Sequence, residues 1–137
     1  MRRTAVLTLI TSSLALAACG SDDSSSSSSE AEHESSSPAT ALREVRETRD
    51  ALKAALATYK DGDAAGAQEQ VAEAYVSHFE EVEGPLEDRN EELNEDLEHA
   101  ISGDLRDSMK AGKPVAAVER QVNDVIADLD KAEAALR

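Results

Sequence analysis

Cysteine occurs once in this 137-residue chain, and that scarcity removes whole classes of function. A lone thiol cannot form an internal disulfide or a cysteine-based zinc cluster, so stability has to come from packing. Aromatic side chains are almost as rare: Tyr59, Tyr75 and Phe79 are the full set, which leaves the core to Ala, Val and Leu and predicts modest stability. Basic residues number 14 against 29 acids, a formal net charge of −15. Such a field repels nucleic acid and anionic lipid and attracts cations or basic partners; equally, it is the solvated face that keeps a small domain soluble. Gly-x-Ser-x-Gly, a phosphate-cradling glycine loop and a Cys-x-x-Cys-His haem site are all missing. These absences point away from an enzyme.

What is present begins at the first residues. Arg2 and Arg3 precede a short apolar stretch, Thr4 to Ala15, which ends in Leu16-Ala17-Ala18-Cys19-Gly20. The order of charge, short apolar run, small residues and cysteine reads as a bacterial lipobox, with residues 1–18 as a signal peptide. Cys19 then becomes the acylated first mature residue, inserted in the lipid bilayer. Each buried methylene contributes about 0.8 kcal/mol, so a diacyl or triacyl group anchors durably where one myristate does not. An ordinary secretory leader and an uncleaved anchor are the competing readings. Loss of Arg2 and Arg3 with the leader takes the formal charge from −15 to −17. The expected location is extracytoplasmic, lipid-anchored to the outer face of the plasma membrane, or to the outer membrane if the cell has two.

Residues 19–40 carry the run Ser24 to Ser29, several acids and almost no large apolar side chain. This composition predicts a disordered tether that holds the following domain about 25 Å from the bilayer. His33 lies within it as a solvated histidine. From residue 41 to 137 the apolar residues keep a helical period and never alternate, which predicts an all-α domain. Leu42, Val45, Leu52, Leu56 and Tyr59 mark a first helix whose seam Arg49 interrupts. It ends near Asp61-Gly62-Asp63, where Asp63 is a good cap for the second helix with Val71, Tyr75, His78, Val82 and the neighbouring Phe79. Gly84-Pro85 is expected to break or kink the pattern. Asn90 is expected to cap a third helix bearing Leu93, Leu97, Ile101, Leu105 and Met109. Ala111-Gly112-Lys113-Pro114 stops that helix, and Val115, Val118, Val122, Val125, Leu129, Ala132 and Leu136 form the seam of a fourth. Four helices joined by short breaks predict an antiparallel four-helix bundle, with a long two-stranded coiled coil as the rival.

Several strings in the domain fall in a recognisable order. Ala57-Thr58-Tyr59-Lys60-Asp61-Gly62-Asp63 is followed by Ala74-Tyr75-Val76-Ser77-His78-Phe79-Glu80-Glu81-Val82-Glu83, then Leu105-Arg106 and Ala111-Gly112. Over about residues 51 to 136 the chain resembles the extracytoplasmic helical domain of bacterial high-affinity iron permeases of the Ftr type. The resemblance implies a part in iron uptake at the cell surface. No transmembrane helix follows the leader, so the implied role is that of a detached partner domain acting with an iron permease or a periplasmic ferroxidase. The transport motif of that family, Arg-Glu-x-x-Glu, occurs as Arg43-Glu44-Val45-Arg46-Glu47 on an amphipathic soluble helix. There the acids are expected to make exposed pairs with neighbouring arginines.

The best candidate for metal chemistry is His78 with Glu80, Glu81 and Glu83. Residues three apart share a helix face, and iron accepts imidazole and carboxylate ligands. His78-x-x-Glu81 is also similar to the His-x-x-Glu element of imelysin-like periplasmic iron-uptake proteins, although Val76 stands where that family has Gly. The competing reading makes His78 a partly buried bundle histidine hydrogen-bonded to a carboxylate. His99, three after Asp96, reads as a surface residue, and the two Glu-x-x-His elements of a di-iron bundle are not met. The sequence thus predicts a non-enzymatic lipoprotein that assists iron uptake by transient iron binding or by docking. Its alternative is a structural or protein-interaction helical bundle of the envelope with no metal.

Overall fold

The computed structural model describes residues 37–137; the signal peptide, Cys19, His33 and nearly all of the tether lie outside the described residues. Among the described residues there is no strand, so the domain is all-α. Helix α1 spans Pro38–Lys60, α2 Ala64–Ala74, α3 Glu80–Glu98, α4 Leu105–Lys110 and α5 Val115–Leu136. Two π turns, Tyr75–Phe79 and His99–Asp104, join α2 to α3 and α3 to α4 without a loop.

Helix α1 starts earlier than the apolar pattern suggests, inside the expected tether. Ser37 accepts a hydrogen bond from Thr40 N through its hydroxyl, and Pro38, which lacks an N–H, takes a first-turn position where none is needed. The helix ends on Gly62 at φ 93°, with Gly62 N donating to Tyr59 O and Asp63 N to Thr58 O. Only a residue without Cβ adopts that conformation cheaply. Asp63 then caps α2 by accepting from Gly66 N at 2.8 Å. The turn before α5 repeats the device with Gly112 at φ 63°. Tyr59 fastens the two together by donating its O–H to Lys113 O at 2.6 Å.

The core is continuous and built almost entirely of aliphatic side chains from every helix, with Phe79 the largest wholly buried residue. On α5 the buried positions are Val118, Val122, Val125, Leu129, Ala132 and Leu136, the predicted seam except for Val115, which is exposed because it sits in the first turn. On α1 the seam is not interrupted at Arg49. Thr48 fills the gap, fully buried, by donating its hydroxyl to Glu44 O at 2.8 Å. Arg49 lies to one side and pairs with Asp130 and Glu133 of α5. Arg46 pairs with Glu133, and Lys60 with Glu119. Partner numbers fall as those on α1 rise, so these two helices run in opposite directions.

The expected break at Gly84-Pro85 does not occur. Pro85 is buried within α3, whose backbone departs from helical geometry at Asn90 instead, with φ −159° and ψ 81°. Asn90 Oδ1 accepts from Leu93 N at 3.2 Å, a capping bond that restarts the helix. Beyond this kink α4 packs against α2, while α3 packs against α1 and α5.

The π turns follow from the spacing of large residues. In a regular helix buried positions recur every three or four residues, and the interval from Ala74 to Phe79 is five. Widening one turn to i→i+5 absorbs the extra residue and keeps Phe79 in the core. In the second case Leu93, Leu97, Ile101, Leu105 and Met109 repeat every four, a spacing that drifts around a pure α-helix by about 40° per step. One wide turn cancels most of that drift.

Candidate functional site

The first π turn is where polar chemistry gathers. Because the inserted residue gives the core position to Phe79, His78 is displaced to the edge of the bundle, its side chain 30% exposed. There its Nδ1 meets Glu44 Oε2 of α1 at 2.9 Å. An ionised carboxylate only accepts, so Nδ1 carries the proton and Nε2 is left for another partner. The second oxygen, Glu44 Oε1, accepts from Nε and Nη2 of Arg43. Burial pushes the Glu44 carboxyl upward, but the hydrogen bonds from His78 and Arg43 outweigh it and hold the group below its ordinary 4.5. Arg43, Glu44 and His78 thus form a charged link between α1 and the π turn. Beside it lies a cleft of about 200 Å³, floored by Ala51, Ala54 and Ala74 and flanked by Gln70 and Glu73.

Tyr75, at the start of the same turn, donates its O–H to Glu83 Oε1 at 2.6 Å. Its hydroxyl is held well above its usual value, first by burial, then by the hydrogen bond to Glu83 and the charges of Glu83, Glu98 and Glu80. Ring contact with Phe79, centroids 5.9 Å apart, fixes the tyrosine against the core. This tyrosine is an anchor for the acidic helix that follows.

The four residues singled out for metal are therefore placed as follows. His78 faces Glu44, Glu83 holds Tyr75, and Glu80 and Glu81 are exposed on the outer side of α3. The structure brings His78 to a carboxylate, but to one on α1 rather than to the three on α3. Among the described residues no group of three or more His, Cys, Asp or Glu side chains is arranged to hold a metal ion. His99 is exposed in the second π turn.

Glu44 is the residue the sequence pattern missed. Expected in an exposed pair, it is only 6% exposed. Its position was readable in principle: it lies three residues from Ala41 and four from Thr48, on the face that α1 buries. None of the described helices is long and apolar enough to cross a membrane. No protein-family model matches the chain, and neither a curated protein nor a solved structure matches it.

Proposed function

We propose that this chain is an extracytoplasmic lipoprotein, anchored by acylated Cys19, whose antiparallel four-helix bundle assists iron uptake by docking to an iron permease or its ferroxidase. One observation carries the reading. The residues on which the likeness to the permease domain rests are the ones that fasten this fold. Tyr59 binds the turn at Lys113, Asp63 caps α2, Tyr75 binds Glu83, and Phe79 fills the core. The opposed ion pairs of α1 and α5, and the packing of α2 on α4 and α3 on α5, support the bundle arrangement.

Docking is favoured over iron binding by the engagement of His78 with Glu44, which occupies one imidazole nitrogen and the carboxylate nearest to it. In the binding form of the proposal, His78, Glu80, Glu81 and Glu83 would take iron transiently after that hydrogen bond is given up. A third form is an envelope interaction bundle that handles no metal at all. The three are separated by one set of measurements: radioactive iron uptake and iron-limited growth in cells lacking the chain, and in cells returned the wild type, Cys19→Ala or the double variant His78→Ala with Glu81→Ala. Docking predicts loss of uptake on deletion, partial loss with Cys19→Ala and near-normal uptake with the double variant. Loss with the double variant at unchanged helicity would establish iron binding instead. Uptake unaffected by deletion would end the iron proposal in both forms.

A further inference from the structure

The first π turn does more than return Phe79 to the core. In a regular α-helix residues five apart stand about 140° from one another, which would put Glu73 and His78 on different faces. The widened turn Tyr75–Phe79 removes most of that angle. Both side chains accordingly line the cleft against α1, together with Gln70, three residues before Glu73. Ala51 and Ala54 line it from α1, and side chains this small leave a space of about 200 Å³. Gln70 and Glu73 are exposed and His78 is partly so, which makes the three polar groups accessible from solvent.

Two of these side chains are held by a neighbour outside the cleft. His78 donates its Nδ1–H to Glu44 Oε2 at 2.9 Å, which leaves the Nε2 lone pair as the donor atom of the ring, and Arg43 in turn fixes Glu44. Glu73 Oε1 accepts the hydroxyl of Ser77 at 2.7 Å, which leaves Oε2. Histidines that ligate metals almost always give their other N–H to a carboxylate or carbonyl, and ligating carboxylates are themselves hydrogen-bonded. Both supports are present here, on two side chains of one cleft.

We infer that this cleft binds a divalent first-row transition cation through His78 Nε2, Glu73 Oε2 and the Gln70 amide oxygen, with water in the remaining positions. Imidazole beside oxygen donors suits zinc and copper, and the order of affinities at such sites places both above ferrous iron. Calcium and magnesium favour all-oxygen sites and are not the fit. Only two of the three ligands are His, Cys, Asp or Glu, so the site is distinct from His78 with Glu80, Glu81 and Glu83.

The inference goes beyond the proposed function and requires neither docking nor iron. The full chain, labelled with nitrogen-15, is titrated with zinc chloride by calorimetry while NMR follows the imidazole nitrogens. One zinc per chain is expected, with His78 Nε2 shifting and Nδ1 keeping its proton. His78→Gln should remove the site, and Glu73→Gln and Glu44→Gln should each weaken binding about tenfold. Glu44 acts as a positioning residue, so its variant should also show mixed tautomers of His78 before any zinc is added. Ser77→Ala should cost about threefold. Glu91→Gln removes one equal charge outside the cleft and should change affinity less than twofold. Loss of binding with Glu81→Gln but not with Glu73→Gln would put the ion on the His78-x-x-Glu81 face and overturn the cleft. Equal affinity in the wild type, Glu73→Gln and Glu44→Gln would show an adventitious ion only, and absence of zinc binding would overturn the inference outright. Should Glu44→Gln lose helicity, Glu73→Gln and Ser77→Ala, both at exposed positions, still decide. A failed zinc titration leaves an uptake defect in deletion cells untouched, and an absent uptake defect leaves the titration standing, so the two failures are distinguishable.

Discussion

Helix α5 and the helical run from Ala64 to Lys110 solve the same packing problem in opposite ways. Along α5 the buried residues are spaced four, three, four, three and four, and the helix is regular from end to end. Along the longer run a step of five at Phe79, and then an unbroken series of fours from Leu93 to Met109, force two wide turns, and the helix kinks between them at Asn90. Regular spacing yields a scaffold. Irregular spacing yields local geometry, and the polar link at His78 and the Tyr75–Glu83 bond both lie on the irregular run.

The sharpest way to break this comparison is to delete one residue from each region. Deleting Asp124 turns every later residue of α5 by about 100°, which carries Val125, Leu129, Ala132 and Leu136 out of the core. Cooperative thermal unfolding should be lost. Deleting Val76, the exposed residue inside the first π turn, leaves buried spacings of three and four from Ala67 through Ala74, Phe79 and Val82 to Leu86. That deletion should keep cooperative unfolding and convert the turn to ordinary α-helix. If both deletions unfold the domain, the π turn is not an absorbed extra residue.

Next in size is Val122→Asp, which places an unpaired charge at a fully buried point of the α5 seam. A loss of about 3–5 kcal/mol in urea unfolding is expected. A smaller contrast concerns acid. Glu133 accepts from Arg46, Arg137 and Arg49, and these bonds hold its carboxyl down at about 2 against an ordinary 4.5. Glu44 is lowered as well, for the reasons given above. A carboxylate lowered in the folded state binds protons more weakly there than in the unfolded chain. Its contribution is therefore present above the unfolded value and is lost as pH falls from about 4.5 toward 2. Stability should decline across that window, and Glu133→Gln should flatten the decline, as followed by circular dichroism at stepwise lower pH. Least of all is Glu119→Lys, which exchanges the exposed Lys60–Glu119 pair for two like charges and should cost under about 1 kcal/mol.

The helical class, both glycine turns and most of the α5 seam were legible in the sequence, because each depends on neighbours within a few residues. Gly62 and Gly112 announce their turns, and Asp63 and Asn90 announce their caps, through local hydrogen bonding alone. Gly84-Pro85 misled the reading, since the α3 helix carries Pro85 as a buried residue and bends elsewhere. The candidate site was less legible for a different reason. A constant α period places His78 on the buried seam, and the inserted residue that hands the core to Phe79 shows only when the spacing is read from Ala74 onward. Its partner Glu44 is 34 residues away on another helix, a pairing that no local pattern encodes.

The hydrogen bond from Tyr59 to Lys113 has a consequence for how the chain resists proteolysis. The turns around Gly62 and Gly112 have the same backbone bonds, and a protease needs to open such a turn before it can cut. At the second turn the Lys113 carbonyl is gripped from outside by the tyrosine ring's hydroxyl, while at the first no side chain from another helix holds an equivalent carbonyl among the described residues. Two peptide turns of one design should thus differ in susceptibility: trypsin is expected to cut after Lys60 before it cuts after Lys110, and with phenylalanine in place of Tyr59 the order should even out.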